Sequence, residues 1–226
     1  MRYFISDNHF FHHGIYKKYG RTQFSSLEEM HTYMINSWNS VVKTNDIVYV
    51  IGDFSFGNKE DTAGIVNQLK GIKKIILGNH DQRMEVKDYF DIGFSDVRTE
   101  DIIKLGNGEA ILLKHYPYNP SWLIRMYYKY IKRSRDRLHY NHYPANRGLW
   151  LISGHHHGAP FLKGKTFNVS CETLNYKPVS ETIICQKINR YKNETLTFKI
   201  LRVIKKVSPR KIKKCIVRYV KNIKLK

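Results

Sequence analysis

A series of short apolar segments constrains the fold more than any other feature of the sequence. Each is four or five residues long and rich in β-branched or aromatic side chains. They are "YFIS" at 3–6, "IVYVI" at 47–51, "KKIIL" at 73–77, "AILLK" at 110–114 and "LWLIS" at 149–153. This length and content are typical of strands that are buried in a sheet.

The stretch "SSLEEMHTYMINSWNSVV", between the first two segments, predicts a helix. Ser25 with Glu28, or Ser26 with Glu29, would form a capping box at its start. Apolar side chains then recur at helical spacing, at Leu27, Met30, Met34 and Trp38. A second helix is expected at about 60–70. Strands that alternate with helices predict an α/β fold.

Every one of the apolar segments is followed by side chains that bind metals or transfer protons. In chain order these are Asp7 and His9; Asp53; Asn79, His80 and Asp81; His115; and His155, His156 and His157. A single polar residue after a strand is typical of a turn or a helix cap. Five such groups in succession instead predict one crevice, because strand carboxyl ends are where α/β proteins assemble their sites.

These groups form motifs that resemble, in the same order, those of the calcineurin-like metallophosphoesterase superfamily. The motifs are "DNH" at 7–9, "GD" at 52–53, "GNHD" at 78–81, "KHYP" around His115 and "GHHH" at 154–157. The resemblance covers roughly residues 1–184 and includes "GDFSFGNKE" and "NYKPVS", which are similar to small bacterial and phage members. It implies a four-layer α/β/β/α sandwich, in which helices flank two sheets.

The resemblance also implies a dinuclear metal centre. Carried over by position, one metal would bind Asp7, His9 and His157, a second would bind Asn79, His115 and His155, and Asp53 would bridge them. Ligands without a thiolate favour Mn²⁺, with Fe, Zn²⁺ or Ni²⁺ as alternatives. Two ions about 3.5–4 Å apart would ionise a bridging water, whose hydroxide attacks phosphorus in line.

Further roles follow for the side chains around these ligands. His80 would protonate the leaving oxygen or stabilise the charge that develops on it, and Asp81 would orient the His80 ring. His12 is expected either to line the pocket or to lie on the surface, and His156 to be a bystander. Arg83 is expected to be solvent-exposed, with a phosphate contact as the alternative.

The chain carries a net charge of +20 over 226 residues, which favours polyanionic partners such as nucleic acid or an anionic membrane surface. Residues 120–147 interleave Arg and Lys with Tyr, which suits base stacking and phosphate pairing, or a helix that packs on the core with a solvated basic face. They are interpreted as an insertion or cap within a catalytic domain at 1–185.

Residues 186–226 form a basic extension, in which Ser208 and Pro209 predict the start of an amphipathic helix that continues to about Ile223. Such a helix would bind nucleic acid, lie on a membrane surface, or pack on the domain or on a second copy. The sequence leaves the oligomeric state open.

A cytoplasmic location is expected, because the chain contains no run of 18 apolar residues and Met1 leads directly into the first strand. Three cysteines without a C-x-x-C spacing argue against a disulfide framework and a thiolate zinc site. Together with the resemblance, the net positive charge favours a phosphodiesterase that acts on a nucleotide or nucleic acid. The alternatives are a phosphomonoesterase that acts on nucleotides or phosphoproteins, and a non-catalytic binding module on the same scaffold.

Overall fold

The computed structural model describes residues 1–15, 21–119 and 142–204, with side chains described as far as residue 197. These residues form ten strands and four α-helices. In chain order they are β1 (Arg2–Ile5), α1 (Leu27–Asn39), β2 (Ile47–Val50), α2 (Lys59–Gln68), β3 (Ile72–Ile76), α3 (Val86–Asp91), β4 (Phe94–Arg98), β5 (Asp101–Lys104), β6 (Ala110–Leu113), β7 (Trp150–Ser153), β8 (Leu162–Lys163), β9 (Thr166–Asn168), β10 (Val179–Ser180) and α4 (Glu181–Ile204).

The strands form two mixed sheets of five strands each. The first has the order β10-β1-β2-β3-β4, in which β1 to β4 pair in parallel and β10 lies antiparallel at the edge. The second has the order β5-β6-β7-β9-β8, in which β6, β7 and β9 pair in parallel between two antiparallel edge strands. The predicted mixed α/β fold is therefore confirmed.

The local predictions correspond closely to the observed elements. The five apolar segments are β1, β2, β3, β6 and β7, each to within one residue at both ends. At the start of α1, the Ser26 hydroxyl accepts a hydrogen bond from the Glu29 amide at 3.1 Å, while the Glu29 carboxylate accepts from the Ser25 amide at 2.7 Å. The capping residues are thus those of the second predicted pair, and α2 is the helix expected at about 60–70.

The main apolar core joins the first sheet to α1, α2 and α3. Trp38 of α1 is 1% exposed, and its indole N–H donates to the carbonyl of Lys70 at 2.9 Å. The other large contributors are Met30, Met34, Val48, Val50, Ile65, Val66, Ile75, Tyr89 and Phe94. This packing holds the carboxyl ends of β1, β2 and β3 side by side.

Backbone hydrogen bonds join the two sheets at the ends of their parallel strands. Ser6 donates to the carbonyl of Val169 at 2.9 Å and accepts from the amide of Cys171 at 3.0 Å. Within the second sheet, the Gly154 amide, directly after β7, donates to the carbonyl of His115 at 3.0 Å. The loops that carry the predicted ligands therefore emerge next to one another.

The chain divides into two compact units, 1–184 and 185–226. The first contains both sheets and α1 to α3. In the second, Arg190 and Glu194 of α4 form an i,i+4 ion pair at 2.8 Å. Most of the expected cap at 120–147, and the whole of the expected helix after Ser208, lie outside the described residues. None of the helices in the described part of the chain combines the length and apolar character needed to cross a lipid bilayer.

Candidate metal centre

The structure brings the predicted ligands together beyond the ends of β1, β2, β3, β6 and β7. Asp7, His9 and His157 form one group, in which a donor atom from each residue lies within 4.8 Å of the others. Asp7, Asp53 and His115 form a second group by the same measure. The two groups share Asp7, so they are parts of one continuous centre.

The backbone at this centre adopts an unusual conformation. Four of the site residues have φ in the left-handed region, namely Asp7 (56°), His9 (52°), Asp53 (55°) and His155 (69°). Asp and His tolerate this region better than most residues, but each such conformation still costs on the order of 1–3 kcal/mol. The cost is offset by inter-loop hydrogen bonds, such as those from Asp7 N to Gly52 O at 2.9 Å and from His9 N to Asp53 O at 3.0 Å.

Asp7 is completely buried, and its two carboxylate oxygens have different neighbours. Oδ2 accepts hydrogen bonds from the hydroxyls of Ser6 at 2.6 Å and Ser170 at 2.9 Å. Oδ1 lies 3.9 Å from His9 Nε2 and 3.7 Å from His157 Nε2. Burial would raise the pKa of Asp7, but the surrounding imidazoles hold it well below its ordinary value. An ionised oxygen is thereby aimed at two imidazole nitrogens.

Asp53 lies close to one histidine from each of the two predicted ligand sets. Its Oδ2 is 3.7 Å from His9 Nε2 and 3.3 Å from His115 Nε2, while its Oδ1 accepts from the His80 amide at 2.9 Å. Burial opposes ionisation here too, yet the charge of His115 lowers the pKa of Asp53. Asp53 therefore lies close to imidazoles of both predicted ligand sets, and its bridging role stays a prediction.

The second predicted ligand set consists of Asn79, His115 and His155, and the structure places these side chains next to one another. His115 Nδ1 bonds to the carbonyl of Ile51 at 2.8 Å, which turns Nε2 towards Asn79 Oδ1 at 3.1 Å. Burial would lower the pKa of His115, but the adjacent Asp53 raises it to about 10. The His155 ring lies beside this pair, with its centroid 5.3 Å from that of His115, and burial and the charge of His115 lower its pKa to about 3.

His9 provides the observation that tests whether a metal fits. Its ring is buried, and neither nitrogen has a hydrogen-bond partner among the described residues. An unsatisfied buried polar group costs about 1–3 kcal/mol. A cation bound by His9 Nε2, Asp7 and His157 would satisfy one of these nitrogens. Cys171 lies nearby, but burial raises the pKa of its thiol well above the ordinary value. Because a protonated thiol is a poor metal ligand, the donor atoms available to a cation here are oxygen and nitrogen.

A cavity of about 510 Å³ opens over this centre. Its lining residues are His9, Asp53, His80, His155, His156, His157, Gly158 and Ala159. The His80 side chain is 44% exposed and lies at the cavity wall, and burial is the main cause of its lowered pKa. His156, expected to be a bystander, is also part of this wall.

Two neighbours of the cavity are positioned through Phe56. The His12 ring packs edge-on against Phe56 at 4.2 Å between centroids, and His12 is not among the lining residues. Arg83 is exposed, as expected, and its guanidinium stacks 4.4 Å above the Phe56 ring, which in turn contacts His80 at 4.8 Å. Arg83 is therefore held close to His80 although its charge is solvated.

The predicted role of Asp81 is wrong. Its buried carboxylate accepts hydrogen bonds from three backbone amides, those of Asp53 at 2.7 Å, Phe54 at 3.0 Å and Gly78 at 2.7 Å. The carboxylate beside the His80 ring is that of Asp53, at 4.0 Å from Nε2. Asp81 thus ties the loops after β2 and β3 together instead of orienting the imidazole. Burial and the charge of Asp53 raise the pKa of Asp81 to about 6.

Arg21 and Glu172 are two site residues that the sequence interpretation missed. Glu172 Oε1 accepts from His157 Nδ1 at 2.8 Å and from Arg21 Nε at 2.7 Å. A weak signal was available, because Glu172 comes four residues after the end of β9 and the predicted ligands also follow strands. No local pattern distinguishes Arg21 from the other arginines of the chain.

Gly78 allows the close approach of two loops, so Gly78→Ala should disrupt the site. A Cβ at this position would overlap Asp53 Oδ1 and lie 2.8 Å from Asp53 N. We expect a destabilisation of about 1–3 kcal/mol, measured by chemical denaturation, together with weaker Mn²⁺ binding. Gly64 of α2 is the matched control, because a Cβ there meets no atom within 4 Å, and Gly64→Ala should stabilise the protein by about 0.4–1 kcal/mol. Equal stability of the two variants would contradict this account.

Comparisons with known proteins identify relatives in an archaeon and in a phage. The chain is 34% identical over 202 residues to the uncharacterized protein MJ1445 of Methanocaldococcus jannaschii, covering 84% of this chain and 92% of the relative. It is 28% identical over 132 residues to the gene 66 protein of Mycobacterium phage L5, covering 51% and 63% of the two chains.

Among solved structures, the protein of unknown function AQ665 from Aquifex aeolicus is similar, with a TM-score of 0.56 and 26% identity. That similarity covers 82% of this chain and 98% of the Aquifex chain. No family model matches the sequence. The identity to the archaeal protein extends over nearly its whole length, and the chain therefore belongs to the same family as MJ1445.

Proposed function

We propose that this protein is a dinuclear metal-dependent phosphoesterase of the calcineurin-like metallophosphoesterase type. The observation that carries the proposal is the meeting of two groups of donor atoms, each within 4.8 Å, at the carboxyl ends of parallel strands from both sheets. The two mixed sheets and the motif order support the finer expectation of a four-layer α/β/β/α sandwich.

The proposed ligands are those that the resemblance implies, and the two donor groups support this assignment in part. Asp7, His9 and His157 would hold one divalent cation, most suitably Mn²⁺, with Fe, Zn²⁺ or Ni²⁺ as alternatives. Asn79, His115 and His155 would hold the second, with Asp53 directed at both. When bound, such a pair of cations supplies Lewis acidity and an acidified water for in-line attack on phosphorus.

The chain's own side chains would position the substrate and stabilise its charge. His80 lies in the wall of the cavity with its ring partly exposed, so it can reach a phosphate ester in the cavity. Its lowered pKa keeps the ring neutral near pH 7, which favours hydrogen-bond donation to phosphate oxygens over complete proton transfer. The guanidinium of Arg83, stacked on Phe56 beside His80, adds positive charge at this edge.

A phosphodiester, in a nucleotide or a nucleic acid, is the proposed substrate class. The support is the net charge of +20, which attracts polyanions. The basic segments 120–147 and 186–226 are the proposed nucleic-acid contacts, with a membrane surface as the other anionic partner. A phosphomonoester substrate is the alternative that the first assay distinguishes.

The test is hydrolysis of bis-(p-nitrophenyl) phosphate and p-nitrophenyl phosphate by the full chain. After treatment with a chelator we expect no turnover, and Mn²⁺ should restore hydrolysis with the diester as the better substrate. A preference of about tenfold for the monoester, about 1.4 kcal/mol in the barrier, would overturn the diesterase assignment. Full activity without any divalent metal would overturn the dinuclear mechanism.

A further inference from the structure

Arg21 is a fully buried cation that links several parts of the candidate centre. Its guanidinium donates from Nε to Glu172 Oε1 at 2.7 Å and from one terminal nitrogen to the carbonyl of Asn8 at 2.7 Å. The other terminal nitrogen donates to the carbonyl of Asp7. The planar fork of Arg thus fixes the turn between Asp7 and His9, in which both residues have a left-handed φ.

Glu172 links Arg21 to His157, which is the third residue of the donor group that contains Asp7 and His9. Its Oε1 accepts from His157 Nδ1 at 2.8 Å as well as from Arg21, and its side chain is only 8% exposed. Since Nδ1 is engaged, His157 presents Nε2 to Asp7 Oδ1. A carboxylate that holds the far nitrogen of a ligating histidine fixes the ring orientation and raises its basicity.

The other donor group is held by different contacts. His115 Nδ1 bonds to a backbone carbonyl, that of Ile51, and the loops that carry Asp53 and Asn79 are joined through the carboxylate of Asp81. Glu172 contributes to none of these hydrogen bonds. Apart from Asp7, which belongs to both donor groups, the two halves of the centre therefore have separate supports.

We propose that Arg21 and Glu172 are positioning residues that set the cation affinity of the Asp7, His9 and His157 group independently of the group around His115. The inference rests on the proposed metal centre. It assigns a functional role to the buried Arg21–Glu172 ion pair, which would otherwise be explained only by its contribution to stability. Neutralising Glu172 would also leave the Arg21 charge uncompensated beside the bound cation, which weakens binding further.

The test is Mn²⁺ titration by calorimetry of chelator-treated, full-length protein, with bound metal also measured by mass spectrometry. Wild-type protein is expected to bind two ions. Glu172→Gln should bind one of them with wild-type affinity and the other about 10–100-fold more weakly. His115→Ala should weaken the opposite site.

Glu181→Gln is the matched control, because Glu181 pairs with Arg2 in another partly buried Arg–Glu contact and accepts from the Gly106 amide, away from the donor groups. It should bind both ions as the wild type does. Arg21→Lys is the second variant if Glu172→Gln does not fold, since Lys keeps the charge but cannot contact all three acceptors. It should weaken the same single site.

The outcomes separate this inference from the proposed function. Folded Glu172→Gln or Arg21→Lys protein that binds two ions with wild-type affinities would overturn the positioning role alone. Equal weakening of both sites would also overturn it, because the supports would then be shared. Wild-type protein that binds no Mn²⁺ would refute the metal centre itself, and the inference with it.

Discussion

Asp53→Asn is expected to abolish phosphodiester hydrolysis and to weaken Mn²⁺ binding at both positions. Asp53 Oδ2 lies within 3.7 Å of the imidazole nitrogens of both His9 and His115, so a single carboxylate serves the two halves of the centre. Asn keeps the size of the side chain but removes the negative charge that two cations would share. The loss of several kcal/mol of transition-state stabilisation corresponds to a decrease in kcat/KM on the order of 10³-fold.

The measurement is kcat/KM for bis-(p-nitrophenyl) phosphate over a range of Mn²⁺ concentrations, together with the number of bound ions. Asp96→Asn is the matched control, because Asp96 is an ion-paired aspartate on β4 that contacts Lys74 and Arg98. That variant should retain wild-type activity. An Asp53→Asn variant with two tightly bound ions and normal turnover would show that the bridging assignment is wrong.

Much of the secondary structure could be predicted because its signals are local. β1, β2, β3, β6 and β7 are apolar runs that need no knowledge of their partners, and Ser26 caps α1 through a contact three residues away. β8 and β10 contain two residues each, so their conformation depends on pairing with β9 and β1. The mixed sequences "FSDVR" of β4 and "DIIK" of β5 lack the apolar continuity that revealed the other strands.

The candidate site could be predicted only as far as its residue types and their place after strands. The grouping of Asp7, His9 and His157 around one ion is implied by the resemblance instead, and the structure brings these three residues together. The contact between Arg21 and Glu172 joins residues 151 positions apart. A contact between residues so far apart produces no periodic pattern in the sequence.

The backbone conformations around the site could not be predicted from sequence patterns, because contacts between loops determine them. Asp7, His9 and Asp53 take a left-handed φ that neighbouring loops impose through hydrogen bonds. The role of orienting the His80 ring that is predicted for Asp81 needs a contact with that ring. The Asp81 carboxylate instead satisfies three backbone amides, which would be unpaired inside the protein without it.

His80→Ala is expected to retain the metal ions and yet lose most of the activity. His80 belongs to neither donor group, and its side chain is 44% exposed at the cavity wall. Its removal takes away a hydrogen-bond donor directed at the substrate, while the ligands stay in place. A positioned donor or acid of this kind contributes about 10²–10⁴-fold to the rate, so kcat should fall by that factor.

His156→Ala is the control that makes this prediction specific, because His156 lines the same cavity and is also exposed. Its loss should change kcat by less than about threefold, since it belongs to neither donor group. Loss of bound metal in His80→Ala would place His80 among the ligands. Unchanged turnover with both ions present would show that His80 takes no part in the reaction. Turnover no higher than background in both the wild type and the variant would favour a binding module over an enzyme.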